Sequence, residues 1–130
     1  MARPPHPGPT ERELTLLKIM WQRGPCTIRQ LLADFPHTPK PAHTSIQTNL
    51  QGMLDKGYVT RQVDPEQPGH LYAAAISQAA VEQGAVQHLI RHVFDGSALR
   101  LLTTALTDGE ASAEELAHLQ ALLDERAGRG

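Results

Sequence analysis

Residues 44–63 read Thr44-Ser-Ile-Gln-Thr-Asn-Leu-Gln-Gly-Met-Leu-Asp-Lys-Gly-Tyr-Val-Thr-Arg-Gln-Val63, and within this stretch the hydrophobic period changes once. Ile46, Leu50, Met53 and Leu54 fall at i, i+4, i+7 and i+8, one face of an amphipathic helix. Gly57 stops that helix, and Tyr58 to Val63 then runs in β-forming residues. His70 to Ala75 is a second such run, and the turn-rich Asp64-Pro-Glu-Gln-Pro-Gly69 between them makes the pair a hairpin. Upstream, Thr10 with Glu13 and Thr27 with Gln30 have the capping-box spacing, and Thr44 with Gln47 repeats it. The first helix carries Leu14, Leu17 and Trp21 as its apolar stripe, flanked by Leu16 and Met20, and ends at Gly24-Pro25. The second turns Ile28, Leu31 and Leu32 inward and ends at Phe35-Pro36. A Pro-rich loop from Pro36 to Ala42 leads into the third. Helix, helix, helix, hairpin is the order of a winged helix-turn-helix.

The rest of the chain is helical, so the fold class is mainly α. Ser77 can cap a helix in which Val81, Ala85, Leu89 and Val93 recur every four residues, with Val86, Ile90 and Phe94 beside them. Asp95-Gly96-Ser97 breaks it, and Leu99, Leu102 and Leu106 mark a short helix. Ser112 with Glu115 opens the last one, striped by Leu116, Leu119 and Leu123. Three such helices make a thin core alone, and a second copy of the chain would cover their stripes. The expected layout is a flexible arm at 1–9, a winged helix at 10–76 and a helical dimerisation region at 77–130. Its contact residues would be Val81, Ala85, Leu89, Val93, Leu102, Leu116 and Leu119.

Composition excludes several classes. The 130 residues are 40% hydrophobic but only 4% aromatic, so the core must be aliphatic, which suits helices. The longest apolar run, Leu71 to Ile76, is too short for a membrane span. No apolar segment follows the first residues, so no secretory signal is expected. The single cysteine, Cys26, cannot close an internal disulfide or build a zinc site alone, which suits a reducing cytoplasm. No phosphate-binding glycine loop, His-Glu-x-x-His or Gly-x-Ser-x-Gly occurs, so an enzyme is not expected and neither is a cofactor. Residues 1–75 carry eight Lys/Arg against six Asp/Glu, and residues 76–130 four against eight. That asymmetry gives only a faint indication of a polyanion partner for the front part.

Two segments resemble the penicillinase repressor family. One is Leu17-Leu-Lys-Ile-Met-Trp21-x-x-Gly24-Pro25. The other is His43-Thr-Ser-Ile-Gln-Thr48-Asn-Leu50-Gln-Gly-Met-Leu-Asp-Lys56-Gly57-Tyr58-Val59, similar to that family's recognition segment. Phe94-Asp-Gly-Ser97 and Glu114-Glu-Leu116-x-x-Leu119 are similar to its dimerisation tail. The resemblance runs from about Thr10 to Glu125. It implies a cytoplasmic homodimeric repressor that binds operator DNA through its winged helix, with no membrane insertion. Antibiotic-sensing members are released by proteolysis, which would add a membrane sensor-protease as partner. Here Thr104-Ala105 stands where those members carry the cleaved Asn-Phe pair, so that partner is not supported. Gly52 replaces the family's Arg in the recognition helix, the wing carries Asp64 and Glu66, and the Cys-rich tail of copper-responsive relatives is absent.

The polar face of the third helix is the candidate DNA reader. Thr44, Ser45, Thr48, Gln51, Gly52 and Asp55 lie opposite its apolar stripe, and short hydroxyls and amides suit base edges and phosphates. His43 opens the segment, and Lys40, Lys56 and Arg61 are the cations placed to hold phosphates. The same face also reads as ordinary solvated surface. A winged-helix protein-interaction module without DNA affinity is therefore the rival function. His88 and His92, at i and i+4, could share a metal with His118 or Glu82; the spacing is common by chance, and no metal is expected. Cys26 and Trp21 read as core.

Overall fold

The computed structural model describes residues 8–109 and 111–129. Their elements run α1 (Glu11–Arg23), α2 (Ile28–Ala33), α3 (His43–Lys56), β1 (Val59–Val63), β2 (His70–Ala74), α4 (Gln78–His92), α5 (Ala98–Asp108) and α6 (Ala113–Arg129). This is the winged-helix order followed by three helices. Contacts divide the chain into two units, one ending at Gln87 and one beginning at His88. The division falls inside α4, eleven residues beyond the 76/77 boundary expected from the sequence.

In the first unit, both expected capping boxes of α1 and α2 close reciprocally, Thr10 with Glu13 and Thr27 with Gln30. The third does not form. The amides of Ser45 and Ile46 already bond to the Ala42 carbonyl, so α3 starts at His43 and Thr44 lies inside its first turn. From there the Thr44 hydroxyl cannot serve as a cap, and no side chain caps this helix. Gly57 ends α3 at φ +80°, a left-handed conformation open to glycine at no steric cost. β1 then pairs antiparallel with β2, from Val59 opposite Ala74 to Val63 opposite His70. A third edge comes from the α1–α2 connection. Cys26 and Tyr72 exchange both backbone hydrogen bonds, 2.9 and 2.8 Å, pinning the hairpin to that loop.

Leu16, Leu17, Met20, Leu31, Ile46, Leu50 and Met53 form the helical part of the core, closed by Cys26, Phe35, Val59 and Tyr72. The α1 stripe is therefore turned from its expected position. Leu16 and Met20 are central, Ile19 joins them, and Leu14 and Trp21 lie at the margin. The margin is not idle: Leu14 and Trp21 line a surface groove with Val81 and Ala85 of α4. The indole Nε1 of Trp21 donates to the Ile76 carbonyl at 2.9 Å.

In the second unit, Ser97 caps α5 through the Arg100 amide, and Ser112 and Glu115 form the expected box before α6. Asp95 and Gly96 make the break between α4 and α5 with φ of +51° and +85°. Leu99, Leu102, Leu106, Leu116, Leu122 and Leu123 all remain exposed. Thr104 and Ala105 lie within regular helix α5. No described helix is long and apolar enough to cross a membrane.

Candidate nucleic-acid interface

The burial of α3 is one-sided. Ile46, Leu50 and Met53 are fully buried, which fixes the helix's rotation and leaves Thr44, Ser45, Thr48, Gln51 and Asp55 exposed on the other side. The Thr48 hydroxyl donates to the Thr44 carbonyl at 3.0 Å, and Gln51 Nε2 donates to Asp55 Oδ1 at 3.2 Å. Asp55 thus holds the amide of Gln51 one turn earlier and keeps its negative charge on this face. Gly52 is half-buried in the middle of this face. A Cβ added there would meet nothing within 4 Å.

The flanking cations differ in their availability. Lys40 is exposed and donates its ammonium to the Ala33 carbonyl at 3.0 Å. Arg61 is exposed on β1, opposite Tyr72. Lys56 is already engaged. Its Nζ donates to both carboxylate oxygens of Glu13, at 3.2 and 3.0 Å, and stands 5.7 Å from the Tyr58 ring centre. Glu13 is only 4% exposed. Burial alone would push its carboxyl pKa up. The Thr10 amide, the Lys56 ammonium and the Thr10 hydroxyl outweigh burial and hold it below the ordinary value. Lys56, expected as a phosphate cation, is also the counter-ion that ties the end of α3 to the start of α1.

The acidic wing also has an internal role. Asp64 Oδ1 accepts the Glu66 amide at 2.9 Å, and the Asp64 amide bonds the Gly69 carbonyl at 3.2 Å, so Asp64 folds the turn of the wing. Next to the wing, His43 joins Arg29 and His70 around a cleft of about 270 Å³. Spacing along the chain does not single out either Arg29 or His70. They meet His43 only because α2, α3 and β2 pack together.

The other candidates resolve simply. The rings of His88 and His92 lie 4.6 Å apart, but no group of three or more His, Cys, Asp or Glu comes together among the described residues. Cys26 is fully buried, and its thiol pKa is pushed up to about 11 by burial. Arg23 opposes that rise and Asp34 adds to it. Val81 and Leu119 are half-buried, while Ala85, Leu89, Val93, Leu102 and Leu116 are exposed.

Among solved structures, the chain is similar to a probable transcriptional regulator from Pseudomonas aeruginosa. The two share 22% identity at a TM-score of 0.46, over 91% of this chain and 78% of that one. No curated protein matches it. The family profile described as penicillinase repressor matches residues 9–125, which is nearly the whole sequence. The chain belongs to the penicillinase repressor family.

Proposed function

We propose that this protein is a sequence-specific transcriptional repressor that binds operator DNA as a homodimer in the cytoplasm, without catalytic activity. The observation that carries the reading is the one-sided burial of α3. A helix locked by Ile46, Leu50 and Met53 presents Thr44, Ser45, Thr48 and Gln51 as a rigid polar strip, narrow enough for a major groove. Lys40, before α3, and Arg61, on β1, supply phosphate contacts, with His43 at the leading end of the helix. Lys56 contributes by orienting α3 through Glu13. Membership of a repressor family supports the same reading.

The exposed leucines of the second unit support the homodimer. Leu102 and Leu116 are about half exposed, and Leu89 is 39% exposed. Covering such residues with the same surface of a second copy removes them from water and presents two copies of α3 to a roughly palindromic site. A gel shift with the DNA upstream of the protein's own coding region, at low salt with non-specific competitor, tests the function. A competitor-resistant band supports repression. No complex at micromolar protein overturns the reading in favour of a protein-interaction module, which the acidic wing and the engaged Lys56 would suit.

A further inference from the structure

The cleft beside α3 has a distinctive donor set. Arg29 reaches it from α2, His43 and Gln47 from α3, and His70 and Tyr72 from β2, with Thr27 before α2 also in the lining. No carboxylate lines it. Asp64 and Glu66 line the neighbouring cleft instead, and Arg29 stands on the boundary between the two. The ion pairs among the described residues occupy Arg23, Lys56 and Arg100, leaving Arg29 outside all of them. Arg29, His43 and His70 are all exposed. With the Arg29 guanidinium in the lining and no carboxylate to balance it, the cleft favours an anion over a cation. A tetrahedral oxyanion satisfies guanidinium, imidazole, amide and hydroxyl together.

We propose that this cleft seats a phosphate oxyanion, and that His43 and His70 set its charge, so that its hold tightens as the pH falls below neutrality. Arg29 supplies a charge that does not change with pH. Imidazoles gain theirs between about pH 8 and 5. Gln47 carries no charge, and Asp64 and Glu66 act on Arg29 from the far flank. An anion in the cleft favours both imidazolium forms, so binding takes up protons and must strengthen as protons become available. The source of the phosphate rests on the DNA-binding reading. His43 is the first residue of α3, so the backbone of a duplex laid on that helix passes the cleft. A free phosphate ester offers the same chemistry.

The test has two arms, both on the full chain. In the first, inorganic phosphate is titrated against protein labelled at its histidine nitrogens, across pH 5.5 to 8. The His43 and His70 resonances should shift and their titration midpoints should rise, while those of His37, His88, His92 and His118 stay fixed. In the second, the affinity for the upstream duplex is measured at pH 6 and pH 8 at constant salt. Four exposed imidazolium–phosphate pairs per dimer should tighten binding about tenfold or more at the lower pH. His43→Gln/His70→Gln should remove that pH dependence, and Arg29→Gln should weaken binding at both pH values. Success in both arms supports the seat with DNA as its source. Shifted histidines with pH-independent DNA affinity support a seat for a free phosphate ester. No response of either histidine to phosphate, together with pH-independent DNA affinity, overturns the proposal. A chain that binds no duplex at any pH overturns the DNA reading, and the phosphate arm then decides the cleft by itself.

Discussion

Glu13 is the charged side chain that the described residues bury most deeply, and it serves two partners at once. It completes the cap of α1 and holds Lys56 at the far end of α3. Glu13→Gln leaves Lys56 half-buried without its counter-charge, at a cost of about 1–3 kcal/mol. Because the folded carboxyl titrates below its unfolded value, this contribution is in place above about pH 4.3 and fades as the pH falls through the folded value. Urea unfolding of the wild type and Glu13→Gln should show a gap at pH 7 that closes as the pH falls below the ordinary carboxylate range. Gly52 gives the opposite sign. A helix-interior glycine costs about 1 kcal/mol relative to alanine, and its Cβ position is open, so Gly52→Ala should stabilise the chain by about that amount. An unchanged or lowered unfolding midpoint would contradict this. The capping role of Glu13 was legible in the sequence, since Thr10 and Glu13 lie three residues apart. Its pairing with Lys56 was not, because the two are 43 residues apart and only packing brings them together.

At the scale of elements, α3 and the hairpin were legible because the hydrophobic period changes at Gly57. The start of α3 was misplaced, since its hydroxyls and amide mimic a cap that the backbone overrides. The Cys26–Tyr72 bridge had no local signal; Gly24-Pro25-Cys26-Thr27 reads as a turn, and its pairing is long-range. The exposed face of α3 was legible from the buried one, whereas the cleft needed three elements to meet. If this face docks in a groove, Thr48→Glu places a carboxylate among phosphates. Binding to the upstream duplex should fall at least about tenfold, with the far-ultraviolet circular dichroism spectrum unchanged. Undiminished affinity would mean that another surface meets DNA.

At the scale of the whole molecule, the sequence anticipated exposed stripes in the tail, and the contacts divide the chain inside α4, eleven residues after the expected boundary. Trp21 and Leu14 share a groove with Val81 and Ala85, so a front unit cut after Ile76 would lose part of that wall. Cut after Gln87, it should stay folded and sediment as a monomer. Its operator affinity should fall about 10²–10⁴-fold through loss of the linked second half-site. Leu89→Asp in the full chain should shift sedimentation in the same direction. A dimeric 1–87 fragment would move the interface to the front unit. With Arg29, Lys40 and Arg61 holding phosphates in each protomer, a dimer neutralises six, so log K should fall against log salt with a slope of about −5. A slope steeper than about −10 would mean that further cations meet the DNA.

The bridge at Cys26 also makes the protein its own clock. The chain's one thiol is sealed beneath the junction of hairpin and helices, and burial suppresses its thiolate. An alkylating reagent can reach it only during excursions that part the wing from the α1–α2 loop. The labelling rate under native conditions therefore counts those excursions. Measured with and without duplex, it would report how firmly a bound operator holds the wing shut, with no probe added to the chain.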